Sequence, residues 1–348
     1  MAASRRFILA LIAACAVAAP GAALAQSLSG AGSTLIHPLL SQWSRAYQKA
    51  QSDPEFQPVA AGIDYEPIGS QAGLMRLHEG DVDFAVSEMP LSPEELTRYG
   101  FGQFPLVLGG VTVAVNLAGV ESGRLKLTGE VLAEIFLGEV KSWADPRLKA
   151  LNPDLSLPDA PIAVIRREDG SGTSFNFTNY LSGQSPRWKE KVGQGLTVAW
   201  PVGRGAKGNE RLAQEIKRTP GAIGYVDFAQ ARRTGVALAQ LRNRAGNFVA
   251  PGTEGFRAAA AHADWATAPD FGILLNDAPG ADAYPIVATA FAIVRRDGAR
   301  GARAATAFLG WTLDNGAATA SDLGYVPLPP NVVAATKAYW ASNLKLGL

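Results

Sequence analysis

Three times along this chain an apolar, strand-like run gives way to a loop of glycine and hydroxyl residues and then to a helical pattern. No other feature restricts its possible folds as strongly. In the clearest case Ile162-Ala163-Val164-Ile165, apolar and partly β-branched, reads as a buried strand. Arg166-Arg167 ends it, and Gly170-Ser171-Gly172-Thr173 then opens a helix at Ser174. Earlier, Leu28-Ser29 leads through Gly30-Ala31-Gly32-Ser33-Thr34 into a helix with Leu39, Leu40, Trp43 and Tyr47 on one face. Thr34 or a neighbour is its expected cap, and Pro38 fits its first turn. Between these two, residues 63–68 alternate like a strand, and Gly69-Ser70-Gln71-Ala72-Gly73 opens a helix bearing Leu74 and Leu77. Small residues let backbone N–H groups come close to a ligand, and the first turn of a helix has N–H groups with no intrahelical partner. Beside Arg167 such groups make a receptor for an oxyanion. One junction alone is equally an ordinary turn; three form a pattern.

The intervening segments read as an α/β protein. Residues 81–88 form a strand with Glu88 at its C-terminal end, where open α/β sheets bind ligands; the plain alternative is a solvated Glu before Met89-Pro90. Residues 103–117 are apolar and long for one simple strand, so they are read as leaving one lobe and entering another, with Gly109-Gly110 permitting a bend. A helix over 128–140 follows, with Val131, Leu132, Ile135 and Phe136 inward, then an irregular stretch past Trp143 and Pro146. After the central loop come a helix over 174–181, a strand over 198–202, a turn before Asn209, a helix over 210–217 and a strand over 222–228. The second long apolar segment, 283–295, is the natural return crossing, and helices over 303–313 and 331–344 close the chain.

Arg5-Arg6, an apolar run over 7–19 and Ala23-Leu24-Ala25 before Gln26 have the pattern of a secretory signal. The expectation is a periplasmic protein that has lost residues 1–25. Ile12-Ala13-Ala14-Cys15 also resembles a lipoprotein cleavage box, so a form anchored through a lipidated Cys15 is the alternative. Cys15 is the only cysteine, and cleavage after Ala25 leaves neither thiol nor disulfide chemistry. The remaining chain of about 320 residues can bury a substantial core in two lobes. Losing Arg5 and Arg6 takes the formal charge from +1 to −1, which points to neither nucleic acid nor an anionic membrane as a partner.

Other chemistries find little support. Neither Gly30-Ala31-Gly32 nor Gly170-Ser171-Gly172 completes a dinucleotide fingerprint, and residues 203–209 have the wrong order for a nucleotide-hydrolase phosphate loop. The three histidines, His37, His78 and His262, are not in metal-binding spacing. Asp169 rules out a Gly-x-Ser-x-Gly elbow around Ser171. No catalytic residue, metal or cofactor is expected.

Six segments together carry a resemblance. They are Gly30-Ala31-Gly32-Ser33-Thr34, Gly69-Ser70, Val82-Asp83-Phe84 with Ser87-Glu88, Gln103-Phe104-Pro105, Arg166-Arg167 with residues 169–175, and residues 220–226. In this order and spacing, over about residues 28–344, the chain resembles the periplasmic phosphate-binding proteins of the bacterial ABC phosphate importer. The resemblance implies the type II periplasmic binding protein architecture: two Rossmann-like lobes joined by two strand crossings. Residues 26–109 plus 287–348 would form lobe 1 and residues 110–286 lobe 2. It implies a monomer that binds inorganic phosphate and delivers it to the permease subunits of an ABC transporter. Thr34 and Leu35 would bind at the first helix start, Ser70 at the second, and Arg167, Ser171, Gly172 and Thr173 at the central loop, with Asp169 offsetting part of the charge of Arg167. Glu88 would be the residue that reads the ligand's proton.

Two positions depart from the family: Leu35 replaces a usual aromatic, and Glu88 replaces a usual Asp with one more methylene. A carboxylate facing an anion is repulsive unless the anion brings a proton. Phosphate near neutral pH carries one and sulfate none, so Glu88 is expected to accept from the phosphate hydroxyl and reject sulfate. The departures keep phosphonate, molybdate and sulfate as alternative ligands, and phosphate-ester hydrolysis as a more distant one.

Overall fold

The computed structural model describes residues 28–51, 62–265, 267–298 and 300–345; the proposed signal segment 1–25, with Cys15, lies outside the described residues. Eight strands form the main path of the ten-stranded central sheet: β1 (Leu28–Gly32), β2 (Ile63–Glu66), β3 (Phe84–Ser87), β4 (Phe101–Asn116), β5 (Ala163–Arg167), β6 (Arg204–Ala206), β7 (Ala222–Asp227) and β8 (Val287–Arg295). Their order is β2-β1-β3-β8-β4-β7-β5-β6.

The long apolar run becomes the 16-residue β4, buried along almost its whole length. Up to Gly110 it pairs antiparallel with β8; from Val111 it pairs antiparallel with β7. On one side β2, β1 and β3 are parallel, and on the other β7, β5 and β6 are parallel. Two Rossmann-like halves therefore share one continuous strand, and β8 is the return crossing. At the two glycines the pairing of β4 passes from β8 to β7. A Cβ at Gly110 would run into the Phe256 ring, and one at Gly109 would lie 3.3 Å from Leu35 Cδ2, so both glycines leave room for these side chains.

Four helices start at the C-terminal ends of parallel strands: α1 (His37–Gln51) after β1, α2 (Ser70–Glu79) after β2, α3 (Gly172–Gln184) after β5 and α4 (Gly208–Arg218) after β6. Leu39, Leu40 and Trp43 of α1 are buried as the helical spacing predicts. Ile165, Leu212, Ile216 and Val226 form a small cluster under α4, while most of the core is one larger cluster through both halves. Helix α2 lies directly on the backbone of β1. A Cβ at Gly73 would meet Gly32 Cα and stand 2.7 Å from Ala31 O, and neither can move aside without shifting the strand.

Several elements differ from the sequence reading. Residues 198–202 make no ladder; instead the half-buried Trp200 stacks on Tyr225, with ring centroids 5.7 Å apart, while Ala199 and Pro201 are exposed. The strand begins later, at Arg204, inside the expected turn. Asp145 caps a short helix, Pro146–Leu151, where an irregular stretch was expected. The helix expected over 128–140 stops at Phe136, ahead of the left-handed Gly138. Helices Pro93–Tyr99, Pro186–Lys191, Phe228–Thr234, Thr253–Ala260 and Ala317–Asp322 are further elements that the sequence reading does not include. Among the described residues no helix is long and apolar enough to cross a membrane.

The glycine packing makes a paired prediction. Gly73→Ala should lower stability to denaturant by roughly 1–3 kcal/mol through overpacking. Gly183→Ala, near the end of α3 with nothing within 4 Å of the added carbon, should be neutral or stabilising by up to about 1 kcal/mol. Equal effects would contradict the docking of α2 on β1.

Candidate oxyanion site

The starts of α1, α2, α3 and α4 meet where the two halves touch. Asn209, in the first turn of α4, donates from Nδ2 to Thr34 Oγ1 (3.0 Å) before α1 and to Thr173 Oγ1 (3.2 Å) in α3. Thr34 thus faces the other half of the molecule, where the sequence suggested a cap for its own helix. Gly172 N donates to Ser70 Oγ at 3.1 Å, and Gln71 N to Gly170 O at 3.2 Å. Ser171 caps α3, its hydroxyl oxygen accepting from Ser174 N at 3.2 Å, while its own N–H goes to Leu196 O. Each of these hydroxyl oxygens already accepts a hydrogen bond. Its single O–H is what it can still donate, and that of Ser70 is directed at Glu88 Oε2.

Glu88 sits just past β3 and is 1% exposed. Ser33 Oγ donates to its Oε1 in a very close contact, and Ser70 Oγ stands 3.4 Å from its Oε2. Its backbone O accepts from Asn176 Nδ2 (3.0 Å), which also donates to Gly172 O. Burial pushes the Glu88 carboxyl up to about 7, against the opposing pull of the Ser33 hydrogen bond and the Arg167 charge. A Cβ at Gly172 would collide with Glu88 Oε2 and lie 2.7 Å from Glu88 N, so only glycine allows this approach of α3 to the end of β3.

Arg167, the last residue of β5, is 2% exposed. Its Nε donates to Asp169 Oδ1 at 2.7 Å and its Nη2 to Asp169 Oδ2, while Nη1 is buried with no partner among the described residues. Burial alone would raise the Asp169 carboxyl, but the Arg167 hydrogen bonds and charge and the Gly208 N–H outweigh it and hold it below the usual range. Tyr225 anchors this strand end: its ring stacks on Phe177 (4.2 Å, 11°) and its hydroxyl accepts from Arg167 N at 3.1 Å.

All nine residues named from the sequence fall in or next to this cluster. Leu35 is the least direct, because its N–H already donates to Ser33 Oγ (3.0 Å) and its side chain is wholly buried. Ser33, Asn176, Asn209 and Tyr225 were not singled out. Asn209 had a signal, since Gly205-Ala206-Lys207-Gly208 before it is a fourth small-residue loop at a helix start. Asp227 was also missed. It caps the helix after β7, its Oδ2 is buried without a partner among the described residues, and burial pushes its carboxyl up to about 7. Among the described residues no group of His, Cys, Asp and Glu is placed to hold a metal ion.

A family model described as a PBP superfamily domain matches residues 17–315. The phosphate-binding protein PstS of Xylella fastidiosa is 45% identical over 320 residues, covering 91% of this chain and 86% of the relative. The phosphate-binding protein PstS of Haemophilus influenzae is 41% identical over 325 residues, covering 93% and 95%. Among solved structures, the ancestral soluble variant of the human phosphate-binding protein has a TM-score of 0.69 at 19% identity, covering 92% of this chain and 96% of that one. A periplasmic phosphate-binding protein (PfluDING) bound with phosphate has a TM-score of 0.67 at 20% identity, covering 90% and 93%. The structural likenesses establish the fold of a type II periplasmic binding protein. The family model places this chain in the PBP superfamily, and the two relatives place it within the PstS family of phosphate-binding proteins.

Proposed function

We propose that this chain is an exported binding protein that captures inorganic phosphate between its halves and passes it to the permease of an ABC-type importer. The names of its relatives supply the ligand class. The observation that carries the reading is the pairing of many committed donors with one buried acceptor, Glu88. Residues 26–109 with 287–348 would form one lobe and residues 110–286 the other, with the boundary at the change of β4 partners.

Arg167 Nη1 and the hydroxyls of Thr34, Ser171 and Thr173 donate to the phosphate oxygens, together with free N–H groups at the helix starts, and Ser70 joins them by turning its O–H from Glu88 to the ligand. Leaving a buried partner unmet costs about 1–3 kcal/mol each, more for charged groups, so an anion of another shape is poorly held. Asp169 keeps the Arg167 fork in place and offsets its charge, lowering the charge imbalance around a dianion. Glu88 is the acceptor for the phosphate hydroxyl. The same contacts join the lobes, so the ligand favours the closed form by bonds it cannot make in an open one. Capture, rather than turnover, fits Ser171, whose hydroxyl oxygen accepts from the Ser174 amide and accompanies no histidine in the bonds above.

Glu88→Gln should admit sulfate, because the amide supplies a donor where the carboxylate repels. Calorimetry that finds the variant binding phosphate normally and still ignoring sulfate would remove Glu88 from the reading. In the unsubstituted protein, sulfate affinity should rise as pH falls through about 7, where Glu88 takes up a proton and becomes a donor. One proton linked to binding limits the slope to about tenfold per pH unit. A flat profile would contradict the assignment.

Gly172→Ala should prop the halves apart at Glu88. Phosphate binding should weaken by roughly 10- to 100-fold, the equivalent of about 1–3 kcal/mol of overpacking, while the melting temperature of the unliganded protein changes little. Wild-type affinity in that variant would show that the contact of α3 with Glu88 is not part of the bound state.

A further inference from the structure

Thr34 and Asn209, whose contact closes the inner site, also line a cavity of about 560 Å³ on its outer side. One wall is the start of α1, with His37. The other is cationic: Lys207 and Arg211 at the start of α4, and Arg233 on helix Phe228–Thr234. Two acids share the space. Glu215 is committed to Arg204 and Arg218, and Glu210 sits 3.3 Å from the Gln214 amide. Arg218 also lines the cavity and is paired with Glu215, which leaves three further cations facing it, with Glu210 as the one acid not held by an arginine in this wall.

We propose that this cavity is an outer oxyanion site that takes up phosphate before the Thr34–Asn209 contact parts and admits it to the inner site. The proposal rests on the phosphate reading above and adds a second place where the ligand is held. The three cations belong to elements that pack on each other, with Lys217 Nζ donating to Thr234 O at 2.6 Å. They stay together when the halves separate, so the cationic wall serves an approaching anion in either state. The cavity is roomy enough for the anion to keep water, which makes binding weak and exchangeable. Like-signed charge lining a cleft with low-dielectric walls raises the local concentration of a counter-ion and its rate of entry.

His37 is the natural reporter. It is half-buried, stacked on Tyr65 with ring centroids 6.2 Å apart, and it faces the cationic wall from the other half. Burial and the nearby Arg233 hold its imidazole below the usual range, with Glu210 pulling the other way.

The test uses phosphate-loaded protein, so the inner site is filled, and follows the His37 ring resonances by NMR during titration with sodium sulfate at constant ionic strength. A His37→Asn variant assigns the signal. The expected result is a saturable shift with sulfate that chloride does not reproduce and that Arg211→Gln/Arg233→Gln abolishes. Stopped-flow mixing should show phosphate association about tenfold slower in the double variant, with an unchanged dissociation rate and one-to-one stoichiometry. A His37 signal that responds alike to sulfate and chloride, or an association rate unaffected by the double substitution, overturns the outer site while leaving inner binding intact. Failure of the unsubstituted protein to bind phosphate at all would instead defeat the earlier reading.

Discussion

A guanidinium and a carboxylate taken out of water side by side, without being paired to each other, is the constraint around which this molecule is arranged. Arg167 is nearly inaccessible and is only partly satisfied by Asp169. Glu88 is equally buried and leans on two serine hydroxyls. Unmet buried charge is expensive, and the usual remedies are direct pairing or protonation. Here Asp169 takes one edge of the guanidinium and leaves Nη1 open, while burial lifts Glu88 to about 7. An anion that carries its own proton completes both groups at once. Asp227, a second carboxyl lifted to about 7, lies within electrostatic reach of both Glu88 and Arg167, and its charge adds to the cost of ionising Glu88.

Such an arrangement needs backbone brought unusually close to side chain, and that is what the glycines supply. Gly73 seats α2 on β1, and Gly172 lets α3 touch Glu88. The small loop residues thus act in two ways. They expose helix N–H groups, as the sequence suggested, and they remove the carbon that would hold the halves apart. Tyr225 ties this local geometry to the core, since one hydroxyl supports Arg167 while the ring stacks within the aromatic cluster of Phe136, Phe177 and Trp200.

The parts of the fold legible in the sequence were those with a local signature. Strand-to-helix junctions at Gly30, Gly69 and Gly170 announced three of the four helix starts, and the apolar runs around Gly109 and Val287 announced the crossings. What stayed hidden depends on tertiary contact. In residues 198–202 Trp200 packs on Tyr225 without any pairing of the strand kind, and its neighbours in sequence do not announce that contact. Asn209 matters through Thr34, 175 residues earlier in the chain. Asp227 looked like the end of an ordinary strand, and its burial came into view only with the structure.

The claim that one buried carboxyl sets the ligand is open to direct measurement. Mature protein stripped of bound anion would be titrated calorimetrically with phosphate and, separately, with sulfate at a pH above 7. Tight one-to-one phosphate binding with sulfate silent is the predicted result. Weak phosphate binding, or comparable heat from sulfate, would contradict it, leaving the fold as described and the role of Glu88 refuted.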